Sequence, residues 1–330
     1  MLYLDYAILT KTLIKLKEQS SKEWYIIVNP HAGSKKTQRD WPHIIQLLDG
    51  EGIVFQSVFT EFQYHATELA RKAIVNMGYR KLIVVGGDGT LNEVLNGIIT
   101  QDTVATTDIM LGVISVGTGN DWGRMYNMPS TYIDQIRVIK KEKTFLHDIG
   151  KVSYMHNEDK KIHHFINIAG MGFDALVAKK SNIAKQRGAS GVITYLISLL
   201  TSLFQYGHSY IEIEKANQKI FSGKVFSMSI GICRYNGGGM MQLPNAIPDD
   251  GLFDVTVIRK VSKLKVIMNL SRLYDGSFIM MKEVDTFTGS DFKITSIPEN
   301  NVFLETDGES LGNSPLIFHV LPRAIKMLIS

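Results

Sequence analysis

One cysteine, Cys233, stands in 330 residues, so no intramolecular disulfide framework can form and a reducing, cytoplasmic setting is expected. It lies in the strand-like run Phe226–Cys233, where a core thiol is expected rather than a nucleophile. Excess charge is equally scarce: 36 Lys and Arg against 32 Asp and Glu leave +4. That suits phosphate ligands or an anionic membrane surface and is too little to imply nucleic acid. A long apolar run is missing too. The longest uncharged stretch, Gly188 to His208, is broken by Thr194, Ser198, Thr201, Ser202 and Gln205. A spanning helix needs roughly 20 predominantly apolar residues, so this stretch reads as a core or groove-lining helix. The N-terminus alternates apolar residues with lysines and has no secretory pattern. No internal repeat or low-complexity tract is present.

What the chain does contain is centred on Lys81 to Gly97, K-L-I-V-V-G-G-D-G-T-L-N-E-V-L-N-G. Leu82–Val85 reads as a buried parallel strand. It stops at Gly86-Gly87-Asp88-Gly89-Thr90, and helical spacing follows with Leu91, Val94, Leu95 and Ile98 on one face. Strand, glycine turn and helix N-terminus present backbone N–H groups to an anion. A carboxylate at Asp88 opposes an anion unless a metal or a proton transfer compensates it, so the combination suggests metal-nucleotide binding. A tight turn without ligand is the plain alternative.

Two further strands end in similar turns. Trp24–Val28 leads to Asn29-Pro30-His31-Ala32-Gly33-Ser34-Lys35-Lys36, and Met110–Val116 leads to Gly117-Thr118-Gly119-Asn120-Asp121. Strand and helix alternate to about Lys141, as in a doubly wound, Rossmann-like parallel sheet, which would gather all three turns at its carboxyl edge. From about Asp148 short strands with period-two alternation dominate, interrupted by helical stretches near Ala175–Tyr206 and Lys263–Met281. This predicts a mainly antiparallel β-sandwich domain with helices. The expected organisation is an accessory helical segment over 1–22, an α/β domain over 23–148 with the tail 322–330 packing back on it, and a β-rich domain over 149–321.

These residues resemble the diacylglycerol-kinase catalytic-domain family, in its bacterial soluble lipid-kinase form that also resembles sphingosine kinases. The motifs are N-P-x-x-G at Asn29–Gly33, G-G-D-G-T-L-N-E-V at Gly86–Val94 and G-T-x-N-D at Gly117–Asp121. Four more follow in the family's order: N-x-x-G-x-G-F-D-A at Asn167–Ala175, N-G-G-G-M at Asn236–Met240, P-D-D-G-L-F-D-V at Pro248–Val255 and T-D-G-E at Thr306–Glu309. G-G-D-G-T alone is shared with NAD kinases and phosphofructokinase-like folds; the later motifs select lipid kinase. Val116 departs from the family's usual proline before G-T-x-N-D.

The resemblance implies an NAD-kinase-like first domain and ATP-dependent phosphoryl transfer to a membrane-lipid hydroxyl, most simply diacylglycerol to phosphatidic acid. It implies a nucleotide pocket from Asn29, Pro30, His31, Ala32, Gly33, Thr60, Gly86, Gly87, Asp88, Gly89, Thr90, Leu91, Asn92, Glu93 and Thr118. Asp88 and Asp121 would act at a catalytic Mg²⁺ and Asp307 would be the general base, in a cleft between domains. A structural Mg²⁺ would be held by Asp250 and the carbonyls of Ile247 and Leu252. The partners implied are ATP and a lipid met at the bilayer surface by peripheral contact, with Lys179, Lys180, Lys185 and Arg187 as candidates for it, and a homodimer is open. Other readings are a sphingoid-base, ceramide or other lipid kinase, a metabolite kinase acting on NAD, and a catalytically silent lipid-binding regulator. Asp307-Gly308 and Asp250-Gly251 could equally be hairpin turns, and Asp174 a helix cap.

Overall fold

The computed structural model describes residues 23–116, 119–186, 201–203 and 207–330. The expected N-terminal helix over 1–22 and most of the apolar stretch 188–208 lie outside them, as do Thr118, Arg187 and the side chains of Lys179 and Lys185. The chain divides into two compact units.

The first unit comprises the chain up to Val116, Met128–Leu146 and Ile325–Ser330. Its strands are β1 (Trp24–Val28), β2 (Phe55–Phe59), β3 (Lys81–Gly86) and β4 (Met110–Ser115). All pair in parallel in the order β2-β1-β3-β4, and Lys326 and Met327 add a parallel edge beside Met110 and Leu111. The helices between them are α1 (Ala32–Gly50), α2 (His65–Val75) and α3 (Asp88–Ile99), and α5 (Tyr132–Lys141) follows. The short helix α4 (Asp121–Met125) lies between β4 and α5 but belongs to the second unit.

Because β1 and β3 are buried on both faces, they read as continuous apolar runs rather than alternating ones. Ile26, Val28, Ile83 and Val85 pack under Trp41, Ile44 and Leu48 of α1 and Ile136 and Ile139 of α5. On the other face α2 and α3 cross closely, which requires glycine at Gly97: a Cβ there would lie 2.5 Å from the Thr67 carbonyl oxygen.

The second unit comprises Gly117–Asn127 and His147–Ala324. Its hairpins close on two-residue turns with left-handed φ: Asn157-Glu158 joins β5 (Thr144–His156) to β6 (Asp159–Phe165), and Ala216-Asn217 joins β8 (Ser209–Lys215) to β9 (Gln218–Gly231). Such turns match the right-handed twist of the flanking strands. The remaining strands are β7 (Ile168–Gly172), the short pair β10 (Tyr235–Asn236) and β11 (Met240–Met241), β12 (Phe253–Arg259), β13 (Val284–Gly289), β14 (Asp291–Ile297), β15 (Phe303–Thr306) and β16 (Glu309–Leu328).

One sheet runs β13-β12-β9-β7-β15-β16, and β8 and β14 bridge the far lengths of β9 and β16. The two long strands thus pass through both sheets and close an antiparallel sandwich. Its core holds Phe165, Phe253, Phe292 and Phe318, with the Phe253 ring stacked on Phe165 and edge-on to Phe318. The helix α6 (Phe173–Gln186) follows β7. The stretch Lys263–Met281 is not one helix: it divides into α7 (Lys263–Met268), α8 (Arg272–Asp275) and a 3-10 turn at Ser277–Met280, with Gly276 left-handed between the last two. Cys233 is buried, its sulfur 3.4 Å from His147 Nε2.

The segment Gly117–Asn127 is a departure from a first domain running unbroken over 23–148. The reason is a hydrogen bond pair: Asp121 accepts from the N–H groups of Gly238 and Gly239, at 2.9 and 2.7 Å. The tail divides at Ala324/Ile325, where β16 passes from one unit to the other.

Candidate active site

In the first unit the carboxyl ends of the strands are tied edge to edge. Asn29 N–H donates to the Val85 carbonyl, Thr60 N–H to Val28 and Val116 N–H to Gly86. The Asn29 side chain donates to Thr90 Oγ1 at 2.9 Å, joining the first glycine turn to the second, and Asn29 Oδ1 accepts from His31 N–H at 3.0 Å. Gly87 is the N-cap of α3 and Asp88 its first residue, so the open N–H groups of this helix face the same edge. Three consecutive residues at the start of α1, Gly33, Ser34 and Lys35, have φ of 59°, 57° and 67°. Two of these are not glycine, and left-handed backbone costs L-residues about 1–2 kcal/mol each. Strain of this kind persists where surrounding structure enforces it and concentrates at ligand sites.

Gly33 itself is fixed: a Cβ would lie 2.2 Å from the Val116 carbonyl oxygen. Gly33→Ala is therefore expected to lower stability by about 1–3 kcal/mol and to weaken nucleotide affinity. Thermal unfolding together with nucleotide titration checks this, and a variant with native values on both would remove the loop from the site.

Not every residue in the implied nucleotide set faces this edge. Leu91 is buried in the core. Asn92 is buried and accepts at Oδ1 from the Asn96 side chain. Glu93 Oε2 accepts from Ala66 N–H at 3.2 Å and its carbonyl accepts from the Thr67 hydroxyl, so it anchors the N-terminus of α2. Burial raises its carboxyl above the usual range.

In the second unit four separate sequence motifs form one network. Asp307 occupies a left-handed position, φ 48°, in the two-residue turn with Gly308 between β15 and β16. Turn and functional candidate are thus the same residue. Its Oδ1 accepts from Asn167 and Ile168 N–H at 3.0 and 3.2 Å, and its Oδ2 from Ile166 N–H at 3.0 Å. The Gly308 N–H donates to Glu305 Oε2 at 2.9 Å, while Glu305 Oε1 accepts from Asn236 at 3.2 Å. Asn236 opens the loop Gly237-Gly238-Gly239, all at positive φ; its Oδ1 accepts from Gly237 N–H, and the N–H groups of Gly238 and Gly239 hold Asp121.

Glu305 is the acid that the motif reading passed over, and Asp174 the one it weighed only as a helix cap. Burial pushes the Glu305 carboxyl up to about 8, and the nearby Asp174 adds to the rise. Asp174, in the first turn of α6, is pushed up to about 6 by burial, against the hydrogen bond it accepts from the Ser229 hydroxyl at 3.2 Å. Gly170 leaves room for both: a Cβ there would lie 2.4 Å from Glu305 Oε1 and 2.9 Å from Asp174 Cβ. Asp174 was legible in G-F-D-A, and Glu305 only as the neighbour of T-D-G-E.

Asp174 also lines an apolar cavity of the same unit, with Phe173, Val177, Phe226, Met240 and Leu270 among its walls.

The loop carrying Asp250 crowds acids together. Asp250 Oδ1 accepts from Leu252 N–H at 3.0 Å, and Asp148 accepts from Gly251 and Arg323 N–H at 2.7 and 2.6 Å. Asp254 is pushed up to about 6 by burial and by Asp250, and burial raises Asp148 with Asp250 and Asp249 adding to it. Among the described residues no group of three or more His, Cys, Asp or Glu is arranged around a common metal position. The implied set of one carboxylate and two carbonyls is a different kind of site, and its hard oxygen donors beside crowded carboxylates fit Mg²⁺.

A parallel α/β unit with glycine turns at its carboxyl edge and an antiparallel sandwich holding a buried carboxylate network define the class: kinases of the two-domain, NAD-kinase-like fold. Yeast NADH kinase has that fold, at a TM-score of 0.53 and 11% identity, over 94% of this chain and 84% of its own. The chain belongs to the diacylglycerol kinase family and is an ATP-dependent lipid kinase. The family model for the diacylglycerol kinase catalytic domain matches residues 23–152, and that for the YegS C-terminal NAD kinase beta sandwich-like domain matches residues 167–329. Diacylglycerol kinases of Staphylococcus haemolyticus and Staphylococcus epidermidis are each 32% identical over 92% of this chain, covering 86% and 90% of their own lengths. A crystal structure of a diacylglycerol kinase from Bacillus anthracis superimposes with a TM-score of 0.67 at 21% identity, over 94% of this chain and 97% of that one.

Proposed function

We propose that the chain transfers the γ-phosphate of ATP to the hydroxyl of diacylglycerol, giving phosphatidic acid. The observation that carries this is the apolar cavity that Asp174 helps to line, in the same unit as the network that holds Asp307. An acceptor with a hydroxyl beside apolar chains suits such walls, whereas a nucleotide acceptor does not. Phosphoryl transfer asks for positioning and charge neutralisation more than covalent help. In this reading the backbone N–H groups from Gly87 to Thr90 and the strained loop at Gly33 bind phosphate, and Asp307 takes the proton from the attacking hydroxyl. Three N–H donors fix the direction of that carboxylate. Asp121 positions the Gly238-Gly239 loop. Mg²⁺ would neutralise charge on the phosphate oxygens, with Asp88 as a ligand, and a second ion would suit the Asp250 loop. The protein meets its lipid at the bilayer surface, and no helix among the described residues is long and apolar enough to cross a membrane.

The test is transfer of labelled γ-phosphate to diacylglycerol, a sphingoid base, ceramide and NAD, the lipids in mixed micelles. Label on diacylglycerol above the others is the expected result. Label on another lipid alone would replace the acceptor, and label on NAD alone would overturn the reading.

A further inference from the structure

The cavity lined by Asp174 has a roof, and the outer face of that roof is unusual. Val266, Leu270 and Leu273 point inward and pack on Phe173, Val177 and Phe226. On the same short helices Leu264, Ile267, Met268 and Tyr274 are exposed, and Met280 follows them at 82% exposure. A soluble surface rarely gathers large apolar side chains at this density without a partner.

Charge selects the partner. Residues 259–283 hold six basic side chains, Arg259, Lys260, Lys263, Lys265, Arg272 and Lys282, against two acids, Asp275 and Glu283. The segment therefore carries +4, as much as the whole chain. Glu283 is paired with Lys265 at 2.8 Å, and Asp275 accepts from Ser277 N–H. Exposed Lys260, Arg272 and Lys282 accompany the apolar face. Apolar side chains accompanied by lysine and arginine are the composition of an interfacial element that seats in anionic lipid headgroups.

We infer that residues 259–283 are the membrane-docking surface, seating α7, α8 and the turn to Met280 on an anionic phospholipid bilayer. The inference rests on the lipid-acceptor reading and adds to it the face through which the bilayer is met. Seated this way, the roof of the apolar cavity lies against the source of its lipid. This face differs from the basic patch at Lys179–Arg187 that the sequence suggested.

The test uses the full chain and two surface variants whose side chains do not line the cavity. One replaces Leu264, Met268 and Met280 by Ser; the other replaces Lys260, Arg272 and Lys282 by Glu. Co-sedimentation is measured with vesicles of pure phosphatidylcholine and of equimolar phosphatidylcholine and phosphatidylglycerol. Binding of the native protein should favour the anionic vesicles and weaken with salt, and each variant should lose at least about tenfold. Phosphorylation of a short-chain diacylglycerol dissolved as monomers should stay native in both, while activity on vesicle-borne diacylglycerol falls. Native vesicle binding by both variants would overturn the inference. A Ser variant that turns a dimer into a monomer on sedimentation, with vesicle binding unchanged, would assign the face to a second copy of the chain instead. A chain that phosphorylates no lipid yet loses vesicle binding on substitution would leave the docking surface standing and remove the acceptor reading.

Discussion

Asp307→Asn is expected to lose both turnover and stability. Turnover should fall by about 10²–10⁴-fold, the range of a positioned general base. The stability loss follows from geometry that turn chemistry alone would not suggest. Asparagine tolerates the left-handed backbone well, but it has one acceptor oxygen where aspartate has two. The native carboxylate accepts from Ile166 on one oxygen and from Asn167 and Ile168 on the other. Whichever way the amide is turned, its NH₂ faces a backbone N–H, leaving a buried donor unsatisfied at a cost of about 1–3 kcal/mol. Rate must therefore be read beside thermal unfolding and ATP titration. A large rate loss with near-native ATP affinity assigns the base. A variant that is less stable yet close to native in rate would make Asp307 a turn anchor only, and the proton acceptor would have to be sought elsewhere.

The second large effect is a fall in stability as pH rises from about 5 to 9. Glu305 is fully buried, and its carboxyl holds a proton up to about 8, against an ordinary value of 4.5. Between those values the folded protein binds a proton that the unfolded chain releases, so the slope of unfolding free energy with pH is negative. The contribution is complete below the ordinary value and lost as pH climbs through about 8. Asp174 acts with the same sign in a lower window, from 3.8 to about 6. Together they are worth on the order of a few kcal/mol across the range. Glu305→Gln removes the titrating proton and should flatten most of the slope. It should cost about 1–3 kcal/mol at low pH, because its NH₂ meets either the Gly308 N–H or the Asn236 amide, which loses its acceptor. Denaturant unfolding at a series of pH values decides the matter. A native slope in the Gln variant would mean that Glu305 does not hold the proton.

Why the sequence carried some of this and not the rest can be seen in particular residues. The parallel sheet was legible because Leu82–Val85 and Met110–Val116 are buried on both faces, and continuous apolar runs ending in glycine have few other uses. The paired hairpins at Asn157-Glu158 and Ala216-Asn217 were not, since neither turn contains glycine and the left-handed positions fell to Asn, Glu and Ala. The Lys263–Met281 stretch kept its apolar content but not its continuity, because Asn269 caps α7 and Gly276 reverses the backbone.

What the sequence by itself determined is local and chemical: strands that stop at glycine, helices that begin beside them, an acid in five of the seven motifs, and a family order that fixes the reaction class. Which acids meet was decided only by the tertiary structure. Asp121, Asn236, Glu305 and Asp307 lie up to 186 positions apart by their numbers in the sequence, and no spacing rule links them. They come together because hydrogen bonds across three loops satisfy N–H groups that burial would otherwise leave unpaired. The same burial sets the protonation of Glu305, a property that belongs to its surroundings and to no residue type.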